Sequence, residues 1–157
     1  MSYESCVLSG LFVVRWEQPQ VGDPTRYCNE LSEAARRQGK PLVGLFIMPA
    51  SSTPPDDTFK REQARSLPTI MTHLTYAMAV FEGTGFAASL KRSALTAIIL
   101  LSGQRQRIHV RSSVVEALRD PPGPLPFDAN QALARLRLRG LCESDQPESR
   151  PAAPPRP

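Results

Sequence analysis

The chain is poor in the residues that usually announce chemistry. Its three cysteines, Cys6, Cys28 and Cys142, show no C-x-x-C spacing, which matches neither a disulfide framework nor a zinc knuckle and points to a reducing compartment. Its two histidines, His73 and His109, sit on separate predicted elements with no H-E-x-x-H around them, so no metal site is expected. No G-x-S-x-G elbow presents a serine nucleophile, and Cys28 reads as a structural thiol on the inner side of a helix. Aromatics make up 6% of the chain. Lysine occurs only at Lys40, Lys60 and Lys91, so the formal charge of +4 is carried by arginines interspersed with acids. Without a basic stripe interleaved with aromatics, no nucleic-acid surface is expected. No apolar run approaches the ~20 residues of a membrane helix. The opening "MSYESCVLSG" lacks the basic and apolar regions of a secretory leader. The expectation is a cytoplasmic protein with no membrane span and no cofactor.

What is present is a patterned α/β chain. "CVLSG" and "LFVVRWEQPQ" read as two strands turned by Ser9 and Gly10, the second rich in β-branched and aromatic residues. Asp23 can cap a helix with Pro24 at its first position, with Tyr27, Leu31, Ala34 and Ala35 on one face until Gly39. "PLVGLFIMPA" is an almost continuous apolar run, the mark of a central strand covered on both faces. Pro54, Pro55, Asp56 and Asp57 favour a helix start by fixed φ and by negative charge at the positive end of the dipole. Pro68 is expected to kink or split that helix. "TYAMAVF" is the next strand, Phe86 to Leu101 a helix broken at Gly103, and "RIHVRSS" a last short strand. Ser113 and Glu116 then form a capping box before "VVEALRD". The order β, β, α, β, α, β, α, β, α predicts a small mixed sheet whose later strands run parallel through right-handed crossovers.

Composition shifts at Pro121: residues 121–157 hold nine of the sixteen prolines. The predicted organisation is a domain over residues 1–120 and a proline-rich extension over 121–157. That extension holds a stiff linker, a short capped helix at about 128–139 ending at Gly140, and a disordered polar tail.

Two loops invite a functional reading. Gly83, Gly85 and Ala88 match G-x-G-x-x-A between a strand and a helix, the setting in which amides approach a pyrophosphate, with Thr84 between them and Arg111 on the next strand as a candidate for a 2′-phosphate. Against this, Glu82 adds negative charge beside the loop, and the fingerprint normally follows the first strand of a larger sheet. The favoured reading is that these glycines relieve a tight turn. The other loop, "MPASSTPPDD", carries Ser51, Ser52 and Thr53 ahead of Asp56 and Asp57. Adjacent carboxylates on a helix diverge, so that pair reads as an N-terminal charge clamp rather than an acid and base.

The element order, with "GKPLVGLFIMP", "AMAVFEG" and "IHVRSSVVEALRD", resembles the STAS or SpoIIAA-like family over about residues 3–120. The resemblance implies a compact mixed sheet and a non-enzymatic regulatory role exercised by binding another protein. In the anti-sigma antagonist branch a serine after the central strand is phosphorylated to release the partner. Ser51, Ser52 and Thr53 fall in the comparable stretch, without the aspartate before and the glycine after that complete the family motif. The alternative is a binder or enzyme for a nucleotide, a phosphate or an apolar ligand, using the Gly83 loop or the space between the helices. Trp16 is read as core, with a partner anchor as its alternative role. A homo-oligomer is compatible with either reading.

Overall fold

The computed structural model describes residues 2–142; the expected disordered tail lies outside the described residues. β1 (Tyr3–Leu8) and β2 (Leu11–Trp16) form an antiparallel hairpin with Leu8 opposite Leu11. Ser9 and Gly10 both take positive φ, 49° and 96°, as a two-residue turn that matches strand twist requires. After α1 (Asp23–Gln38) the chain alternates β3 (Leu42–Met48), α2 (Asp57–Thr72), β4 (Leu74–Phe81), α3 (Phe86–Ser102) and β5 (Ile108–Arg111). The helices α4 (Val114–Arg119) and α5 (Ala129–Leu138) follow. The fold is α/β, with one five-stranded mixed sheet in the order β1-β2-β3-β4-β5 and every pair from β2 to β5 parallel.

Strand order equals chain order, so each crossover advances in the same direction across the sheet. Right-handed crossovers that all advance one way put their helices on one face. Accordingly Tyr27 and Leu31 of α1, Phe59, Leu67 and Ile70 of α2, and Ile98 and Ile99 of α3 share a core with Phe12, Val14 and Trp16 of β2. The opposite face carries Leu8, Leu11, Val13, Leu45, Met78 and Val80, covered by Val114, Ala117 and Leu118 of α4 and by Ala132, Leu133 and Leu136 of α5. β2 and β3 are therefore buried on both sides, as their unbroken apolar runs foretell.

Two local expectations are corrected. Asp23 does not cap α1: Gly22, at φ 91°, takes the cap position, and Asp23 is the first helical residue. Its fully buried carboxylate accepts hydrogen bonds from the Ser2 hydroxyl and the Gln20 amide, each at 2.8 Å. Pro68 does not split α2, which runs unbroken from Asp57 to Thr72. Proline removes one N–H there on the exposed side, while Leu67, Ile70 and Met71 stay anchored in the core.

The described part of the proline-rich extension belongs to the packed body. The Tyr76 hydroxyl lies 3.1 Å from the Gly123 carbonyl and 3.3 Å from that of Pro124, tying the linker to β4. Asp128 caps α5 by accepting from the Gln131 amide at 2.8 Å. At its end Gly140 takes φ 68° while Leu141 N–H reaches back to the Leu136 carbonyl at 2.9 Å, a Schellman closure that buries Leu141 completely. Leu136→Ala, at a fully buried position, is expected to cost about 2–5 kcal/mol of stability in urea unfolding. A chain ending at Asp120 is expected to lose its cooperative transition.

Candidate functional site

The carboxyl ends of parallel strands are where α/β sheets place their working loops. At the ends of β3 and β4 the chain builds one connected structure from the two loops singled out in the sequence and from one buried lysine. The hub is the Pro49 carbonyl. It accepts from the Ser52 amide at 3.1 Å, from the Ser52 hydroxyl at 2.9 Å and from Lys91 Nζ at 2.9 Å. Lys91 also donates to the Ala50 carbonyl at 2.9 Å. Its side chain is 1% exposed, and burial pushes the ammonium below the usual lysine range.

Of the candidate hydroxyls, Ser51 and Thr53 are exposed and Ser52 is 4% exposed. Thr53 N–H bonds to the Glu17 carbonyl at 3.3 Å, joining the loop to the end of β2. Asp56 is the α2 cap, accepting from the Phe59 amide at 2.7 Å. Asp57 is exposed and pairs with Lys60 at 2.7 Å, which holds its carboxyl below the usual range. The two aspartates thus divide their work between capping and pairing, as the clamp reading requires.

Gly83 and Gly85 both need positive φ, 91° and 87°. A Cβ on Gly83 would stand 2.8 Å from the Ala50 Cβ, so this glycine exists to let the two loops pass each other. The backbone approach that a dinucleotide fingerprint reserves for phosphate is occupied here by the protein's own loop. Gly85 begins α3 in open space, and Thr84 is exposed beside it. Arg111 ends the neighbouring strand, but its guanidinium donates to the carbonyls of Asp120 (3.1 and 3.3 Å) and Val110 (3.2 Å). The structure therefore brings Ser51 to Asp57 and Gly83 to Gly85 together, while Arg111 is engaged in closing the turn into α4.

Under these loops lies a cavity of about 60 Å³ between the sheet and α2 and α3, with Trp16, Phe46, Phe59, Gln63, Lys91 and Ile98 among its lining. Gln63 pairs one end of its amide with the Tyr27 hydroxyl and leaves Oε1 without a hydrogen-bond partner. Trp16 is core, meeting Tyr27 and Phe59 edge-on at ring distances of 5.4 and 5.3 Å. Cys6 and Cys28 are free thiols, and burial raises both above the usual thiol range, away from nucleophile chemistry. Among the described residues no cluster of three His, Cys, Asp or Glu side chains is placed to hold a metal.

Lys91 and Gln63 were not singled out from sequence, and neither was Phe86, which stands 85% exposed on the first turn of α3. The signal for Lys91 was available: it falls on the stripe Ala88, Lys91, Ala94, Ile98 that α3 buries. Lys91→Met keeps the stem and removes the amine, taking from the Ala50 carbonyl the donor it has in Lys91 while Pro49 keeps its two bonds from Ser52, and is expected to cost roughly 1–3 kcal/mol at neutral pH. The pH dependence has a definite sign. A lysine whose folded pKa lies below its unfolded value binds fewer protons in the folded state, so the wild type gains stability relative to Lys91→Met as pH rises from that lowered pKa towards about 10.4. Urea unfolding of both proteins across that window measures the difference.

No protein-family model, curated protein or solved structure matches this chain.

Proposed function

We propose that the chain is a non-enzymatic, cytoplasmic regulatory module of STAS or SpoIIAA-like kind that works by binding another protein, with the loop over residues 49–57 and the start of α3 as its contact face. The observation that carries this reading is Phe86. A phenylalanine 85% exposed, one helical turn from Leu90 at 45%, is an apolar pair in water at the edge where the loops meet. Exposed apolar surface with a polar rim is the usual mark of an interaction site, and an aromatic at its centre is the usual anchor. On this reading the polar part of the face comes from Thr84 near the start of the helix and from Ser51, Thr53 and Asp57 of the loop that Gly83 passes at Ala50, all exposed. The element order on which the family resemblance rests supports the same reading, as does Gly83, whose close approach is to Ala50 rather than to an open phosphate pocket. Among the described residues no helix is long and apolar enough to cross a membrane.

Regulation by phosphate follows from exposure. Ser51 and Thr53 are reachable in the folded state, whereas the Ser52 hydroxyl is buried and committed to Pro49. A phosphate on Ser51 or Thr53 would add negative charge a few residues ahead of Asp56 and Asp57, and like-charge repulsion would loosen a bound partner.

The test is affinity capture of the tagged full chain from its own cell, beside Phe86→Ser. A stoichiometric partner that Phe86→Ser loses without a change in Tm supports the module. Absence of any partner, together with thermal stabilisation by millimolar nucleotide that Gly85→Val abolishes, would replace it with the ligand-binding alternative. Ser51→Asp and Thr53→Asp are expected to weaken capture at unchanged Tm. Ser52→Asp instead lowers Tm by several degrees, because it places a carboxylate against a carbonyl in a buried site.

A further inference from the structure

β5 is the sheet edge opposite β1, and among the described residues its outer side pairs with no other strand. The Ala77 amide donates to the Arg107 carbonyl at 2.9 Å, which sets the phase of the ladder. In a parallel pair alternate residues turn their N–H and C=O to the neighbour, so His109 faces β4 while Ile108 and Val110 direct theirs outward. The Arg111 guanidinium on the Val110 carbonyl, at 3.2 Å, fits that outward direction. Beside this edge runs a groove of about 450 Å³ between β5 and the second half of α3, with Thr96, Ile99, Leu100, Arg105, Ile108 and Val110 among its lining. That volume is in the range of ligand and peptide sites. Its lining leaves apolar surface in water, with Leu100 60% and Val110 43% exposed.

The segment that forms this edge is basic. Residues 104–111 carry Arg105, Arg107 and Arg111 and no acid, and the Glu116 carboxylate that follows is held on Ser112. Arg107 is engaged with the backbone carbonyls of Met71, Leu74 and Thr75, and Arg111 with those of Asp120 and Val110. Arg105 is exposed and makes no ion pair with any described residue. Short length and flanking charge are devices that protect edge strands from indiscriminate pairing. Here they act selectively. A second β5 laid against this one would set arginine against arginine, an unfavourable cross-strand arrangement, whereas an acidic strand would meet complementary charge.

We propose that the β5 edge is a docking strand for an extended acidic segment of another protein. The segment adds to the sheet as a sixth strand, bonds to the outward groups of Ile108 and Val110, sets apolar side chains against Leu100 and Val110, and brings a carboxylate to Arg105. This is the β-addition mode of peptide recognition, in which main-chain bonds supply affinity and alternate side chains supply selectivity. The surface is distinct from the loop at residues 49–57, and either can fail without the other.

The experiment is amide NMR titration of the full chain with two capped synthetic peptides of alternating sequence, one of glutamate and valine, the other of lysine and valine. The acidic peptide is expected to give saturable shifts centred on Ile108 and Val110, and the basic peptide none. Val110→Pro removes an outward N–H and leaves the β4 ladder intact, which an edge strand tolerates; it is expected to weaken binding at least ten-fold. Arg105→Glu and Leu100→Ser, both exposed changes, are expected to do the same and serve should the proline variant not fold. Equal binding of the basic peptide, absence of saturable shifts at these two amides, or wild-type affinity in Arg105→Glu would overturn the proposal. So would sedimentation showing that the free protein self-associates through the same amides, which would make a second copy the occupant.

Discussion

The handedness of the crossover connections is the constraint on which the rest of this molecule depends. Because β2, β3, β4 and β5 are laid down side by side in one direction, chirality commits α1, α2 and α3 to a single face. The other face then has no helix from the strand connections, although Val13, Leu45 and Met78 must leave water there. The segment after β5 answers this need. α4 and α5 seal that face, and the prolines between them shape a strap that Tyr76 holds. What composition marks as an appendage is in its described part the second wall of the core.

A second dependence is local. Loops at the ends of parallel strands carry backbone groups that no ladder satisfies, and buried ones need partners. The Pro49 and Ala50 carbonyls find theirs in Lys91, and Ser52 folds in to share the first of them. A lysine is an expensive way to supply donors, since its charge is desolvated. It also fixes the start of the loop, at Pro49 and Ala50, to a rigid helix, so the exposed hydroxyls of Ser51 and Thr53 are carried on an anchored loop. A surface that must be recognised benefits from that rigidity, because less ordering is left to be done on binding.

Much of this was legible in the sequence, and the failures have physical causes. The strands were readable from apolar runs and β-branched content, the helix start at Asp56 from its prolines and charge, and the cap at Ser113 from a side chain that hydrogen-bonds its own backbone. At Asp23 the same propensity misled, because a glycine was free to take the cap and a serine 21 residues away offered the carboxylate a better partner. Pro68 was read as a break, but the tertiary contacts of Leu67, Ile70 and Met71 outweigh one lost helical bond. The reach of Lys91 joins residues 42 and 41 positions apart, and no local pattern encodes such a meeting. Periodicity could show that α5 has an apolar side. It could not show which surface that side would cover, since this follows from the topology of everything before it.

The position of α5 also has a consequence in time. Its residues are synthesised after every strand of the sheet, and they carry the side chains that close one of the two cores. Until Leu133, Leu136 and Leu141 leave the ribosome, a nascent chain with all five strands available still presents the apolar side formed by Leu8, Leu11 and Leu45 to its surroundings. Domains that assemble from the N-terminus can finish while translation continues. This one must wait for α5, and in the interval that face of the sheet stays uncovered.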